Sequence, residues 1–390
     1  MVPYWTGVSH RLHWTILGLA LAVGVGIGAL IAIAGSSTTE ASPIAATETP
    51  SFASPNLDPG VALSSVAPGF TLTDQLGKRV SLRSLRGKVV VVSFNDPECT
   101  TICPLTTTAL LRAKKLLGPA SSAVELLGIG ANPEATGVES VHAYSEAHEM
   151  LHKWRFLTGS LPQLRRVWRA YGIEAAVIGG SIDHTPATYI IGPDGRESRL
   201  YQTAMAYSSV NQLAYEMARS IAALLPGHPS VPKESLRAPM LYGPHVRVTL
   251  PRAGGGSVRL GPGSGAHLVL FFDTWETQTN DLGAQLEALN RYHAVAGKKG
   301  LPPLVAIDEA GVEGSPEALP RFLRSLPHPL SYPVAIDRTG GVADGYRVED
   351  SPWLELVSAK GRILFHKAPE EDGWPTPRQL LARVRAAQTK

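Results

Sequence analysis

A buried strand that runs directly into two cysteines is the feature that most limits what this chain can fold into. Residues 88–94 are mainly β-branched and follow Gly87, a composition typical of a strand buried on both faces. After Cys99 and Cys103, residues 105–117 carry apolar side chains at roughly helical spacing. This order predicts that Cys99 lies in a turn and that Cys103 lies near a helix start, where the helix dipole favours a thiolate.

Strands and helices alternate along the chain after the cysteines. The pattern predicts a strand at 124–129, helices at 138–150 and 161–171, and a strand at 187–191 that ends in a Gly-Pro-Asp-Gly turn. Because strands that alternate with helices pack as layers, the predicted fold class is α/β.

The length of the chain, 390 residues, favours two domains over one compact core. Four prolines interrupt residues 226–239, where apolar periodicity is weak, so this stretch is predicted to be a linker. The predicted domains therefore span residues 61–225 and 240–390.

The second half repeats features of the first in its sequence pattern. Residues 267–272 resemble the strand at 88–94, and residues 351–357 resemble residues 185–191, with a proline at the second position of each. Such internal similarity predicts that the halves are two versions of one fold.

An apolar run near the N-terminus predicts a membrane anchor at residues 1–34. Residues 14–34 are nearly all apolar and carry no formal charge, which is long enough for a helix that crosses the hydrocarbon core. A cleaved signal peptide is the alternative, because small residues end the run, but its length exceeds the usual apolar region of about 7–15 residues.

The positive charges around this run predict its orientation. Arg11 precedes it and the next basic residue after it is Lys78, so the positive-inside tendency places the N-terminus in the cytoplasm and both domains on the extracytoplasmic side of the cell membrane. Residues 35–60 are rich in Ser, Thr, Ala and Pro and are predicted to be a flexible tether.

Charge and cysteine content narrow the possible functions. With 36 Lys and Arg against 33 Asp and Glu, the chain has no large positive field, and nucleic acid is not expected as a partner. Cys99 and Cys103 are the only cysteines, and a bond between them would close a very short loop with little gain in stability. The pair therefore indicates chemistry, although an inert disulfide stays open as the alternative.

Two segments resemble those of a known family. Residues 94–104, Phe-Asn-Asp-Pro-Glu-Cys-Thr-Thr-Ile-Cys-Pro, resemble the signature of the Sco/SenC copper-handling family, and Asp183-His184-Thr185 resembles the segment that supplies its histidine. The resemblance covers roughly residues 61–225. It implies a thioredoxin-like fold with Cys99, Cys103 and His184 as copper ligands, and two thiolates with one imidazole make a soft set that suits Cu(I). An ordinary surface or capping role is the alternative for His184.

The sequence departs from the family pattern at two positions. Asn132 stands where many Sco proteins have an acidic residue, and Pro186 stands where thioredoxin-like proteins carry a cis-proline, although a trans proline that opens a strand is equally compatible. The remaining histidines of this region, His142, His148 and His152, are expected to be solvated.

The second half resembles TlpA-type thioredoxin-like domains at residues 272–279. Glu276 and Thr279 occupy the positions of the two cysteines, and neither side chain can exchange disulfides. The half is therefore predicted to be a degenerate thioredoxin-like domain that acts as a scaffold or docking module.

The Sco resemblance implies an extracytoplasmic copper metallochaperone that helps to load a copper centre of cytochrome oxidase. The alternative is a membrane-anchored thiol-disulfide oxidoreductase in which Cys99 attacks and Cys103 resolves. Either reading expects a cytochrome oxidase subunit, or another redox or copper client, as the partner. A purely structural role in a membrane complex is the third possibility.

Overall fold

The computed structural model describes residues 51–52, 58–179, 181–232, 240–278, 281–367 and 376–388. The strands before the predicted linker are β1 (Ser51–Phe52), β2 (Val61–Ala62), β3 (Thr71–Asp74), β4 (Arg79–Ser81), β5 (Val89–Asn95), β6 (Val124–Gly130), β7 (Arg155–Thr158), β8 (Ala175–Ile178), β9 (Ser181–His184), β10 (Ala187–Ile191) and β11 (Glu197–Gln202). Eight of them form one sheet in the order β2-β11-β10-β5-β6-β7-β3-β4, while β8 and β9 pair with each other.

Four α-helices accompany this sheet in the described part of the first half. They are α1 (Ile102–Leu116), α2 (Val138–Ala147), α3 (Leu161–Tyr171) and α4 (Val210–Ala222), and short 3-10 helices cover Leu82–Leu85, Gly118–Ala123 and Tyr207–Ser209. The α/β prediction for this half is confirmed, and the sheet and helices form the thioredoxin-like arrangement that the resemblance implied.

The second half has a smaller sheet. Its strands are β12 (Met240–Leu241), β13 (Val248–Pro251), β14 (Ser257–Leu260), β15 (His267–Phe272), β16 (Leu304–Asp308), β17 (Val334–Ile336), β18 (Trp353–Val357) and β19 (Ile363–Lys367), and its helices are α5 (Leu282–Ala296), α6 (Ala318–Ser325), α7 (Gly341–Tyr346) and α8 (Pro377–Gln388). Five strands pair in the order β17-β16-β15-β18-β19, and 3-10 helices cover Thr274–Gln278 and Gly297–Lys299.

The central strand of each sheet has one parallel and one antiparallel neighbour. In the first half, β5 is parallel to β6 and antiparallel to β10. In the second, β15 is parallel to β16 and antiparallel to β18. Both central strands are buried along their whole length, because helices or loops cover both faces of each sheet, and this explains their continuous apolar sequence.

Local sequence determines where the helices begin and end. The Ser160 amide donates to Gln163 Oε1 at 2.9 Å in a capping box before α3, and Gly172 adopts the left-handed conformation, with φ of 65°, after it. These two signals account for the agreement between the predicted helix at 161–171 and the observed one.

One apolar core crosses from the first half into the second. It joins residues of the first sheet and α1, such as Val91 and Leu110, to residues of the second sheet, such as Val269 and Ile307. Helix α1 contributes directly, because Thr108 Oγ1 donates to the Val312 carbonyl at 3.0 Å. The described residues after position 50 therefore belong to one compact unit.

Several predictions about the chain ends concern residues that the structure does not describe. The predicted anchor at 1–34 lies outside the described residues, and none of the described helices is long and apolar enough to span a membrane. Within the predicted flexible tether, the structure describes Ser51–Phe52 as strand β1, which pairs with β12. The domain boundaries, including the linker at 226–239, stay a prediction.

Candidate metal and thiol site

Cys99 lies in the turn that joins β5 to α1. Its amide donates to the Asp96 carbonyl at 3.3 Å, and the Glu98 amide donates to Asp96 Oδ1 at 2.8 Å. Asp96 therefore shapes the turn with both its backbone and its side chain. The Cys99 side chain is half-buried, so it stays accessible to a partner.

Cys103 is the second residue of α1, and only 1% of it is exposed. Its amide belongs to the first turn of the helix, which has no partner within the helix, and it donates to Cys99 Sγ at 3.4 Å. Thr101, the residue before the helix, makes no capping hydrogen bond with its side chain. Cys99 sulfur therefore takes the place of a capping oxygen, in the partial positive charge of the helix N-terminus.

The two thiols have opposite pKa shifts. A hydrogen bond from Cys103 lowers the pKa of Cys99 against the opposing effect of burial, and Thr101 adds to the lowering. Burial raises the pKa of Cys103 well above its ordinary value, and the neighbouring Cys99 adds to the rise. Cys99 is therefore the group that ionises first, and Cys103 keeps its proton. Both cysteines are free thiols.

His184 ends strand β9, and the β8–β9 hairpin brings it to the cysteines. Its Nε2 lies 3.5 Å from Cys103 Sγ, and its Nδ1 lies 3.3 Å from the Thr185 carbonyl. A carbonyl only accepts, so Nδ1 carries the proton and the lone pair of Nε2 faces Cys103. Burial lowers the pKa of His184, which keeps the imidazole neutral, as a metal ligand must be.

The predicted set of Cys99, Cys103 and His184 is thus brought together from three places in the fold. Two thiols and a neutral imidazole suit the chemistry of Cu(I). Within the described ranges, no group of three or more His, Cys, Asp or Glu side chains is already arranged to hold a metal ion. Since the Cys103 amide and Thr101 Oγ1 hold Cys99 Sγ, Cys99 is the side chain that would have to turn toward an ion.

Asn132 stabilises the cysteine turn through hydrogen bonds. It is fully buried, and its Nδ2 donates to Asp96 Oδ1 at 2.8 Å. Its Oδ1 accepts from the amides of Glu134 and Ala135 at 2.7 and 3.1 Å. The amide side chain is thus both a donor and an acceptor here, a combination that an aspartate cannot supply in its ionised form.

Pro186 follows the histidine segment in the trans form. Among the described residues the cis peptide bond is Ser351–Pro352 in the second half, so the alternative of a trans proline before strand β10 is confirmed for Pro186.

His148 is not solvated, contrary to the expectation for the three histidines. Only 5% of it is exposed, and its ring packs between Tyr144, at 4.1 Å between centroids, and Trp275, at 4.7 Å. Trp275 belongs to the second half, so the sequence around His148 contains no sign of this partner. Burial lowers the pKa of His148 to about 3.

The degenerate segment of the second half is buried against the first half. Trp275 and Glu276 lie in the 3-10 helix Thr274–Gln278, which contacts α2, and Glu276 is fully buried. Burial raises the pKa of Glu276 well above its ordinary value. Thr279, the other residue at a predicted cysteine position, lies outside the described residues. Glu276 is not accessible to a substrate, and the loss of redox chemistry stays a prediction.

The site opens into a groove of about 1270 Å³ that both halves line. Cys99, His184 and Met205 belong to the wall from the first half. The second-half wall consists of Leu241 and the lining residues within 344–353, among them Arg347, Glu349 and Trp353. The sequence analysis missed this wall. The sequence feature that could have indicated this wall was the similarity between residues 351–357 and residues 185–191, because residues 185–191 directly follow His184.

Comparison with known proteins supports the resemblance of the first half. The SCO1/SenC family model matches residues 61–221. The chain is 28% identical over 142 residues to the SCO1 protein homolog of Bacillus subtilis (strain 168), over 34% of this chain and 71% of the relative. It is 28% identical over 149 residues to Protein SCO1 homolog 1, mitochondrial, of Arabidopsis thaliana, over 37% of this chain and 44% of the relative.

Among solved structures, this chain is similar to copper-bound ScoI of Arabidopsis thaliana, with 26% sequence identity and a TM-score of 0.36. The match covers 41% of this chain and 99% of that one. The Sco/SenC resemblance of the first half is therefore confirmed over residues 61–221.

Proposed function

We propose that this chain is an extracytoplasmic copper metallochaperone that helps to load a copper centre of cytochrome oxidase. The observation that carries the proposal is the convergence of Cys99, Cys103 and His184 within the stretch that matches the SCO1/SenC model. The proposal includes the anchor at residues 1–34, which would keep the site beside a membrane-bound client.

Copper is the cargo in this proposal, and the three side chains supply its ligands. Cys99 ionises more readily because its pKa is lowered, whereas Cys103 has to lose a proton against the effect of burial, which raises its pKa. His184 directs the Nε2 lone pair toward Cys103. Because ligand deprotonation accompanies binding, loading releases protons and affinity rises with pH.

The second candidate function is thiol-disulfide exchange, and the opposite pKa shifts of the two cysteines favour it. The Cys99 thiolate would attack a client disulfide, forming a mixed disulfide and releasing one client thiolate. Cys103 would then attack Cys99 sulfur, its proton passing to a client thiolate as the second client sulfur leaves. The client disulfide is reduced to one thiol and one thiolate, which takes its proton from water, and the cysteine pair is oxidised to a disulfide.

The second half is, in this proposal, a TlpA-like domain that has lost its redox chemistry and serves as a scaffold. The shared apolar core and the burial of Trp275 and Glu276 support that role. Its likeness to TlpA-type domains rests on the sequence pattern at residues 272–279.

A Cu(I) titration of the reduced full chain tests the proposal. We expect one equivalent to bind tightly, and we expect His184→Ala and Cys99→Ser each to weaken binding by at least tenfold. Ser122→Ala, a change on the exposed surface, serves as the control and should bind as the wild type does. Failure to bind copper together with disulfide reductase activity that requires Cys99 would identify the oxidoreductase instead.

A further inference from the structure

The groove beside the site is bounded by both halves, so anything that reaches Cys99 also meets the second half. Its volume of about 1270 Å³ exceeds the range of about 300–1,000 Å³ that is usual for small-molecule pockets. Copper alone does not need such a space, whereas a segment of polypeptide does.

The second-half wall is held rigidly in place. Asp344 accepts from the backbone amides of Tyr207 and Ser208 in the first half, at 2.8 and 3.0 Å. Trp353 Nε1 donates to Glu355 Oε1 at 2.8 Å, and its ring stacks on His366 at 5.5 Å between centroids. A surface fixed in this way loses little entropy when a partner binds to it.

The groove is strongly acidic, although the chain carries a net charge of +3. Its lining includes one arginine, Arg347, and one histidine, His184, against six residues with side-chain carboxyl groups: Asp96, Glu98, Asp183, Asp344, Glu349 and Asp350. Opposite charges arranged on two surfaces guide encounter and select the partner. The occupant that this lining fits is therefore cationic.

We propose that the groove binds an extended, lysine- or arginine-bearing segment of the client next to its copper-accepting residues, and that the second-half wall selects it. This inference rests on the proposed function, because it assigns a client to the same site. Glu349 is exposed on the wall and supplies part of the attraction, whereas Arg347 opposes it. The second half thus contributes to client recognition while the first half holds the copper.

Two synthetic peptides of twelve residues test the proposal with the reduced full chain. Both carry a histidine and two serines in place of the accepting cysteines, so that binding does not involve copper; one has four lysines and the other four glutamates. We expect the lysine peptide to bind at least tenfold more tightly, with the preference shrinking as salt is added. Equal affinity for the two peptides would overturn the proposal.

Charge variants locate the effect on the wall. We expect Glu349→Lys to weaken binding of the lysine peptide by about fivefold and Arg347→Glu to strengthen it by a similar factor, since charges at the rim of an interface act mainly through long-range attraction. Glu317→Lys makes the same change as Glu349→Lys at an exposed residue outside the groove and should have no effect. An equal loss in Glu317→Lys would show an effect of net charge alone and would contradict the assignment.

A parallel Cu(I) titration keeps this proposal separate from the proposed function. We expect all three charge variants to bind Cu(I) as the wild type does, because none replaces a ligand. Peptide selectivity that is absent in a chain that binds copper would refute the docking proposal alone. Absence of copper binding in the wild type would refute the metallochaperone proposal, whatever the peptides do.

Discussion

At the scale of single residues, the surroundings of each polar group decide its chemistry more than its type does. Cys99 and Cys103 are four positions apart, yet the helix start and a hydrogen bond favour the thiolate of one, and burial favours the thiol of the other. His184 stays neutral because it is buried, with its Nδ1 beside a carbonyl. A readily ionised thiol, a protonated thiol and a neutral imidazole therefore stand together.

The change Asn132→Asp tests whether the cysteine turn needs an amide. The aspartate would lose the donor to Asp96 and Glu98 and would place a third carboxylate beside them. We expect the free energy of unfolding to fall by about 1–3 kcal/mol, which is the usual cost of an unmade buried hydrogen bond, as measured by urea denaturation.

Asn211→Asp is the matched control for this change. Asn211 is exposed and accepts from Arg112 through Oδ1 at 2.7 Å, a role that an aspartate performs equally well. This variant should retain the stability of the wild type within about 0.5 kcal/mol. An Asn132→Asp chain that is as stable as the Asn211→Asp chain would show that the turn does not depend on the amide.

Glu355 offers a test of pH dependence in the second half. The residue is 1% exposed, and burial raises its pKa to about 7. The folded state therefore binds its proton more tightly than the unfolded state does, so stability is highest below pH 4.5 for this group and falls as the pH rises to about 7. We expect Glu355→Gln to unfold with a free energy about 3 kcal/mol higher than the wild type at pH 8, and with nearly the same value at pH 4.5.

At the scale of elements, the sequence predicted the pieces well where local signals were strong. The strand predicted at 88–94 is Val89–Asn95, and the helix predicted at 161–171 is observed with the same bounds. The helix predicted at 138–150 ends earlier, at Ala147. The sequence motif and the family resemblance singled out Cys99, Cys103 and His184, and the fold places His184 Nε2 3.5 Å from Cys103 Sγ.

Contacts between distant elements could not be read from local patterns. The burial of His148 depends on Trp275, and the second wall of the groove depends on how the two sheets pack against each other. Periodicity shows which face of an element is apolar, but it does not show which other element will cover that face.

His148 lies at the contact between α2 and the 3-10 helix of the second half, and its protonation makes the free energy of unfolding depend on pH. Burial lowers the pKa of His148 to about 3, so the unfolded state binds its proton more tightly than the folded state does. The stability from this group is complete above pH 6.5 and is lost as the pH falls toward 3. The free energy of unfolding should fall between pH 7 and pH 4 in both proteins. We expect this fall to be about 3 kcal/mol smaller in His148→Phe than in the wild type.

His152→Phe is the control for that measurement, since His152 is exposed near the same helix. Its stability should follow the wild type between pH 7 and pH 4. If His148→Phe also follows the wild type, the buried imidazole does not control this contact.

At the scale of the whole molecule, the two halves behave as one body because they share a core. Apolar residues of both sheets pack in the same cluster, and α1 lies between them. Helix α1, which carries Cys103 in its first turn, contacts the second half at two side chains. Thr108 donates to the Val312 carbonyl, and Arg112 donates to the Gly311 carbonyl.

Truncation after residue 232 tests this shared core. The shortened chain would expose the face of α1 and the core residues that the second half covers, and a large exposed apolar patch destabilises or aggregates a protein. We expect the melting temperature to fall by about 10 °C or more and the fragment to bind a hydrophobic dye, as measured by calorimetry and fluorescence. A fragment that melts like the full chain would mean that the second half adds no stability to the first.

Thr108 and Val312, which share a hydrogen bond, are 204 residues apart in the chain. During synthesis, Thr108 is therefore made well before its partner. At about 5–20 residues per second, a ribosome needs roughly 10–40 seconds to make the chain between the two partners. During that interval the helix beside the cysteines has no cover on one face. The face of α1 around Thr108 therefore stays uncovered in the growing chain until the second half has been made.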